Sequence, residues 1–165
     1  MNYRRILRHI FRDERSVKRV LSPAALARIT RAIAEGERLH DGEVRFCIEA
    51  ALPWSYLRRD ARVRERAVML FSKLRVWDTE RNTGVLVYVL LADRAIEIVA
   101  DRGIAQRVPQ AHWDEICASL GAAFRSGQGE EGVLAAVGQI GVLLARHFPP
   151  VAGDTNELPD APVIL

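Results

Sequence analysis

The sequence predicts an α/β domain, with a small mixed β-sheet sandwiched between amphipathic helices. Three observations carry that expectation. Residues 85–91, Val-Leu-Val-Tyr-Val-Leu-Leu, are apolar on both faces, as a central strand covered on two sides must be. In residues 43–51, Val44, Phe46 and Ile48 alternate with Arg45, Cys47 and Glu49, the period-2 pattern of a half-buried strand. Segments before, between and after these runs repeat apolar residues at three- and four-residue spacing. The 165 residues, 49% hydrophobic and 27% charged, suit one domain with its own core and exclude global disorder.

Residues 2–20 read as one helix. Tyr3, Leu7, Ile10, Val17 and Leu21 fall on one side, and Arg4, Arg8, Arg12, Arg15 and Arg19 within roughly 80° on the other. Ser22-Pro23 starts a second helix with a good N-cap and a proline at the first position. Leu26, Ile29, Ile33 and Leu39 carry its stripe to the Asp41-Gly42 turn. After the strand at 43–51, a helix runs from about Arg59 to Arg75 with Ala61, Ala67, Val68, Phe71 and Leu74 inward, and a polar loop leads to the central run. Ala92-Asp93-Arg94 is a tight turn, and residues 95–100 return as a strand. Two amphipathic helices close the domain, one carrying Trp113, Ile116 and Leu120, the other Val133, Val137, Ile140 and Leu144. The first two strands are joined through a helix and should be parallel; the third follows a hairpin and should be antiparallel. The expected organisation is a basic amphipathic helix over 1–20, a domain over 21–150, and a loose tail over 151–165.

The net charge of +3 is mild, but the charge is segregated. Arginines crowd residues 1–20 and 58–75, whereas 149–165 hold Asp154, Glu157 and Asp160 and no Lys or Arg. Cys47 and Cys117 lie in apolar patterns and read as reduced, buried thiols. There is no apolar run of signal-peptide or membrane-span length, so the expected location is the cytoplasm, peripheral to a membrane if the arginine stripe meets one.

The ordered motifs of residues 20–150 resemble the TPM domain family, which includes a thylakoid acid phosphatase and many bacterial proteins of unassigned role. The resemblance rests on Leu21-Ser22 opening a helix that ends Ile33-Ala34-Glu35-Gly36-Glu37, then Asp41-Gly42-Glu43-Val44-Arg45, and Ala67 to Leu74. It continues with Asn82-Thr83-Gly84-Val85-Leu86-Val87-Tyr88-Val89, Asp101-Arg102-Gly103-Ile104, His112-Trp113 and Phe124-Arg125-Ser126-Gly127. It implies a small sheet covered by helices, and acid phosphatase chemistry with a divalent metal, often calcium, held by acidic loops. Many relatives carry an aspartate just before the opening leucine, where this chain has Arg19 and Val20.

Strand direction gathers Asp41, Glu43, Asp78, Glu80, Asn82 and Asp101 at one edge of the sheet, and such oxygen-rich loops suit a hard cation such as Ca²⁺ or another divalent ion. The candidate ligands are Asp101 first, then Asp78, Asp41 and Glu43, with Arg102 as a phosphate or anion contact. The alternative is that Asp41 and Asp78 are turn residues and that Asp101 pairs with Arg102 or caps a helix. No nucleophile or catalytic motif declares itself, and the four histidines share no spacing, so no catalytic residue is assigned. The stripe of Arg4, Arg8, Arg12, Arg15 and Arg19 is either a solvated face or a contact with an anionic membrane surface or an acidic protein partner. Nucleic acid is disfavoured, because few aromatics are interleaved with the arginines. Two function classes follow: a non-catalytic interaction protein working beside membrane or envelope proteins, and a metal-assisted acid phosphatase acting on phosphate monoesters.

Overall fold

In the computed structural model, which describes residues 2–151 and 156–165, a four-stranded sheet is covered by helices on both faces. Strands β1 (Val44–Glu49) and β2 (Val85–Leu90) are parallel, and β2 pairs antiparallel with β3 (Ala95–Ala100), as the hairpin turn requires. Every residue of β1 and β2 is buried. The continuous apolar run of β2 thus lies inside the sheet, and β3 is the half-exposed edge.

The pleat divides the core. Val44, Phe46, Ile48, Val85, Val87 and Val89 face one layer, made by α2 (Glu14–Val20), α3 (Pro23–Glu37), α7 (Gln110–Arg125) and α8 (Gly129–His147). Cys47, Leu86, Tyr88 and Leu90 face the other, made by α1 (Tyr3–Ile10), α4 (Trp54–Arg58) and α5 (Val63–Lys73). The helix starts follow local chemistry: the Ser22 side chain accepts from the Ala25 N–H with Pro23 at the first position, and Asp13 forms a capping box with Ser16.

Four expectations need correction. Residues 2–20 form two helices, because Asp13 caps a new start after the turn at Phe11. Tyr3, Leu7 and Ile10 do not face the core; Arg5, Ile6 and His9 do. The helix expected over 59–75 is the shorter α5, with a separate turn of helix, α4, before residue 59, and Val68 is exposed while Leu70 is buried. The tail is not loose where it is described. Glu157 and Leu158 donate their N–H groups to Glu43, and β4 (Val163–Ile164) adds a parallel strand beside β1, so the order is β3-β2-β1-β4. Asp154, part of the acidic tail noted above, lies outside the described residues.

A short helix, α6 (Arg102–Ala105), follows β3. Two glycines fix this end of the sheet. A Cβ on Gly84 would stand 1.9 Å from the Val76 carbonyl oxygen, and one on Gly103 would stand 2.5 Å from that of Asn82. Only glycine lets the loop before β2 and the turn after β3 approach so closely.

Candidate functional site

Helix α1 lies across the ends of β1 and β2 and has three sectors, each spanning roughly 80–100° at about 100° per residue. The docked sector is Arg5, Ile6 and His9. The Arg5 guanidinium donates to Asp93 in the β2–β3 turn, to Asp60 in the loop after α4, and to the Ala61 carbonyl at 2.8 Å. His9 Nδ1 accepts from the Leu52 N–H at 2.9 Å, which leaves Nε2 to donate to Asp93 at 3.1 Å. Burial opposes ionisation of Asp93, but hydrogen bonds from Arg5 and His9 and the Arg5 charge prevail and hold its carboxyl below the usual range.

The second sector is Tyr3, Leu7, Ile10 and Phe11, which are 69, 55, 64 and 81% exposed. The third is Arg4 and Arg8, with Arg12 in the turn that follows; all are exposed, as are Arg15 and Arg19 on α2. Among these arginines, Arg8 alone has a carboxylate nearby, Asp93 at 3.5 Å. A docked helix thus presents a large apolar stripe beside a basic one, both facing outward. Exposed apolar residues contiguous in this way mark an interaction surface.

The opposite end of the sheet gathers the acidic residues as strand direction predicts, but does not converge them on one point. Arg81 pairs with Asp41, and Arg75 with Asp78. Glu43 is buried and accepts from the Glu157 and Leu158 N–H groups. Asp101 caps α6 through the Arg102 N–H at 2.7 Å, and Arg102 turns to Asn82. Among the described residues no group of three or more His, Cys, Asp or Glu side chains stands where it could hold a metal ion. One atom departs from this pattern: Asp101 Oδ2 is buried without a partner.

The model of the TPM domain matches residues 16–143. The chain belongs to the TPM domain family. Among solved structures, the TPM chain is similar to the BA42 protein of the psychrophilic bacterium Bizionia argentinensis, with 28% identity and a TM-score of 0.77 over 88% of this chain and 95% of that one. It also shares its fold with the N-terminal domain of a protein from P. gingivalis, at 20% identity and a TM-score of 0.63, covering 80% of this chain and 83% of that one. No curated protein matches.

Within this TPM domain Glu49 and its partners are held in a buried hydrogen-bonded cluster, while His40 Nδ1 and Arg45 Nε are buried without a partner among the described residues. Buried Glu49 accepts from Arg66 and from the Tyr88 hydroxyl, and burial together with Glu49 pushes the Tyr88 hydroxyl up. Burial pushes the Cys47 thiol up to about 12 and the Cys117 thiol to about 11, so neither supplies a thiolate nucleophile at neutral pH. Burial also pushes His40 down, keeping it neutral. No helix among the described residues is long and apolar enough to cross a membrane.

Sequence reading missed Asp93, Arg5 and His9, and placed the Tyr3–Leu7–Ile10 stripe on the wrong side of α1. The available signal was Arg5 and His9 at i, i+4 spacing between the two stripes, a polar pair that needs a buried partner if it faces inward.

Proposed function

We propose that this TPM domain is a non-catalytic interaction module that docks on an anionic membrane surface through α1. The observation that carries the reading is the exposed Tyr3–Leu7–Ile10–Phe11 stripe lying beside Arg4, Arg8 and Arg12 on a helix already fixed to the domain. Aliphatic and aromatic side chains entering the headgroup boundary, with arginines reaching to phosphates beside them, is the chemistry of an interfacial helix. Each arginine near an anionic surface contributes about 1 kcal/mol, and the apolar stripe adds burial that a purely electrostatic contact lacks. Because α1 is pre-docked, the membrane pays little of its ordering cost. These residues precede the matched TPM segment.

The test is sedimentation with vesicles of phosphatidylcholine alone and with 30% phosphatidylserine added. The chain should pellet with the anionic vesicles, and Leu7→Ser/Ile10→Ser should weaken this at least tenfold without unfolding the domain, because both side chains are exposed. Equal pelleting by wild type and the double variant would remove the reading, and binding to an acidic protein partner would become the use of the stripe.

The second reading, metal-assisted hydrolysis of phosphate monoesters, is favoured by the family and by one observation, the unpartnered Asp101 Oδ2. A saturable calcium heat in wild type that is lost in Asp101→Asn would support it. No heat in wild type would end it.

A further inference from the structure

Where β2 turns into β3, between α2 and α7, the fold leaves a half-open cavity of ≈ 510 Å³, within the range of small-ligand sites. Arg12, Arg94 and Arg125 line it, over apolar side chains that include Leu91, Ile96 and Phe124. Among the described residues no Asp, Glu, His, Cys, Ser or Tyr lines it. The three guanidinium groups have no hydrogen-bond or ion-pair partner among the described residues, so their charge is available to a ligand. Like charges around a low-dielectric hollow focus a positive potential, and planar guanidinium forks match phosphate oxygens. An inorganic anion would use the arginines and leave the apolar floor wet. A phosphate joined to an apolar body uses both. Arg12 follows Phe11, the last residue of the exposed stripe, so the cavity belongs to the same end of the molecule as the α1 surface.

We propose that this cavity binds the phosphate headgroup of an anionic phospholipid, with the first apolar atoms of the lipid on the Leu91–Ile96–Phe124 floor. The source of the ligand, a bilayer, rests on the membrane reading above; the chemistry of the cavity does not. With no nucleophile or general base in its lining, the site holds the phosphate ester intact.

The experiment titrates the full chain with dihexanoyl phosphatidic acid below its micelle concentration, with dihexanoyl phosphatidylcholine, and with inorganic phosphate, followed by calorimetry and amide shifts. Phosphatidic acid should shift Ile96, Gly121 and Phe124, and the other two should bind at least tenfold more weakly. Arg125→Ala removes an exposed charge and should weaken binding roughly tenfold. Gly121→Leu places a side chain on a Cβ that stands 3.3 Å from Arg125 Nη1 and 3.7 Å from Ile96, filling the cavity, and should abolish binding. Phosphatidic acid binding that survives both variants overturns the site. Equal binding of inorganic phosphate overturns the lipid as its source. Leu7→Ser/Ile10→Ser separates the two proposals, because it should lose vesicles and keep soluble phosphatidic acid. A wild-type chain that takes soluble lipid but ignores vesicles defeats the membrane reading alone. One that pellets with vesicles but shows no response to soluble lipid defeats this inference alone.

Discussion

Glu37 closes α3 where the tail crosses the start of β1, and it accepts from the Val44 N–H and from Asn156. Burial, opposed by the Val44 hydrogen bond and reinforced by Glu43 and Asp160, pushes Glu37 up to about 9, so it is protonated at neutral pH. Burial also raises Glu43, against the two N–H groups it accepts from. A carboxyl raised on folding holds a proton that the unfolded chain releases near pH 4.5. Its stabilisation is complete below that pH and is lost as pH rises through about 9, with a slope of at most ~1.4 kcal/mol per pH unit for one group. Thermal unfolding at pH 5, 7 and 9 should show the midpoint falling across this window, and Glu37→Gln should flatten the fall, leaving only the share due to Glu43. An unchanged slope in Glu37→Gln would assign the dependence to other groups. Nothing in the sequence shows this proton, because it depends on Asn156 and Asp160 folding back more than a hundred residues to meet Glu37.

At the scale of elements, what could be read depended on whether the deciding contact was local. The central place of β2, its parallel partner and its antiparallel hairpin follow from a two-sided apolar run, a helical crossover and a short turn. The candidate acidic edge was legible for the same reason, since strand direction alone brings Asp41, Asp78 and Asp101 to one end. The capping of α6 by Asp101 was legible too, as the alternative to a ligand role, but the pairing of Asp41 with Arg81 and of Asp78 with Arg75 was not, because it depends on loop geometry. β4 is two residues long beside Pro162, too short for any periodicity, and its strand partner is β1, more than a hundred residues away. The orientation of α1 was misread because its apolar stripe looks like a core stripe. Its true anchor, Arg5 on Asp93 and Asp60, spans 88 and 55 residues. Arg5→Ala leaves Asp93 half-buried beside His9 and should cost roughly 3 kcal/mol of α1 docking, lowering hydrogen-exchange protection of residues 3–10 about 100-fold while the sheet stays protected. Asp93 is held below its ordinary range, so its contribution is present above that range and is lost as pH falls through the folded value. Wild-type α1 should therefore undock first in acid below about pH 4. Uniform loss of protection across sheet and helix in Arg5→Ala would mean that α1 is part of the folding core and not an added element.

The molecule as a whole is polarised along its strands. One end carries α1, its apolar stripe and Arg4, Arg12, Arg94 and Arg125, unpaired among the described residues, beside Arg8; the other carries Asp41, Asp78, Asp101, Glu157 and Asp160, with Arg81 and Arg75 paired to the first two. Six-residue strands at about 3.3 Å per residue separate the two ends by roughly 20 Å. A negative surface attracts the unpaired arginines of the first end, whereas arginines of the second end are already paired with its carboxylates, so charge favours one orientation before any apolar contact forms. The interaction should weaken with salt, because the Debye length shrinks from about 10 Å at 0.1 M to about 3 Å at 1 M, yet it should not vanish, since the Tyr3–Leu7–Ile10–Phe11 stripe is indifferent to ionic strength. Orientation is the stricter test. With vesicles or bicelles containing phosphatidylserine and a spin-labelled lipid, amide signals of residues 3–12, 94–96 and 121–125 should broaden, and those of 37–43 and 156–160 should not. Replacing Arg4, Arg8 and Arg12 by Ala removes about 3 kcal/mol of attraction and should cut vesicle affinity roughly 100-fold while leaving the residual broadening at the same end. Broadening at the acidic end, or spread evenly over the surface, would show that the polarity of the fold does not set how the chain meets a membrane.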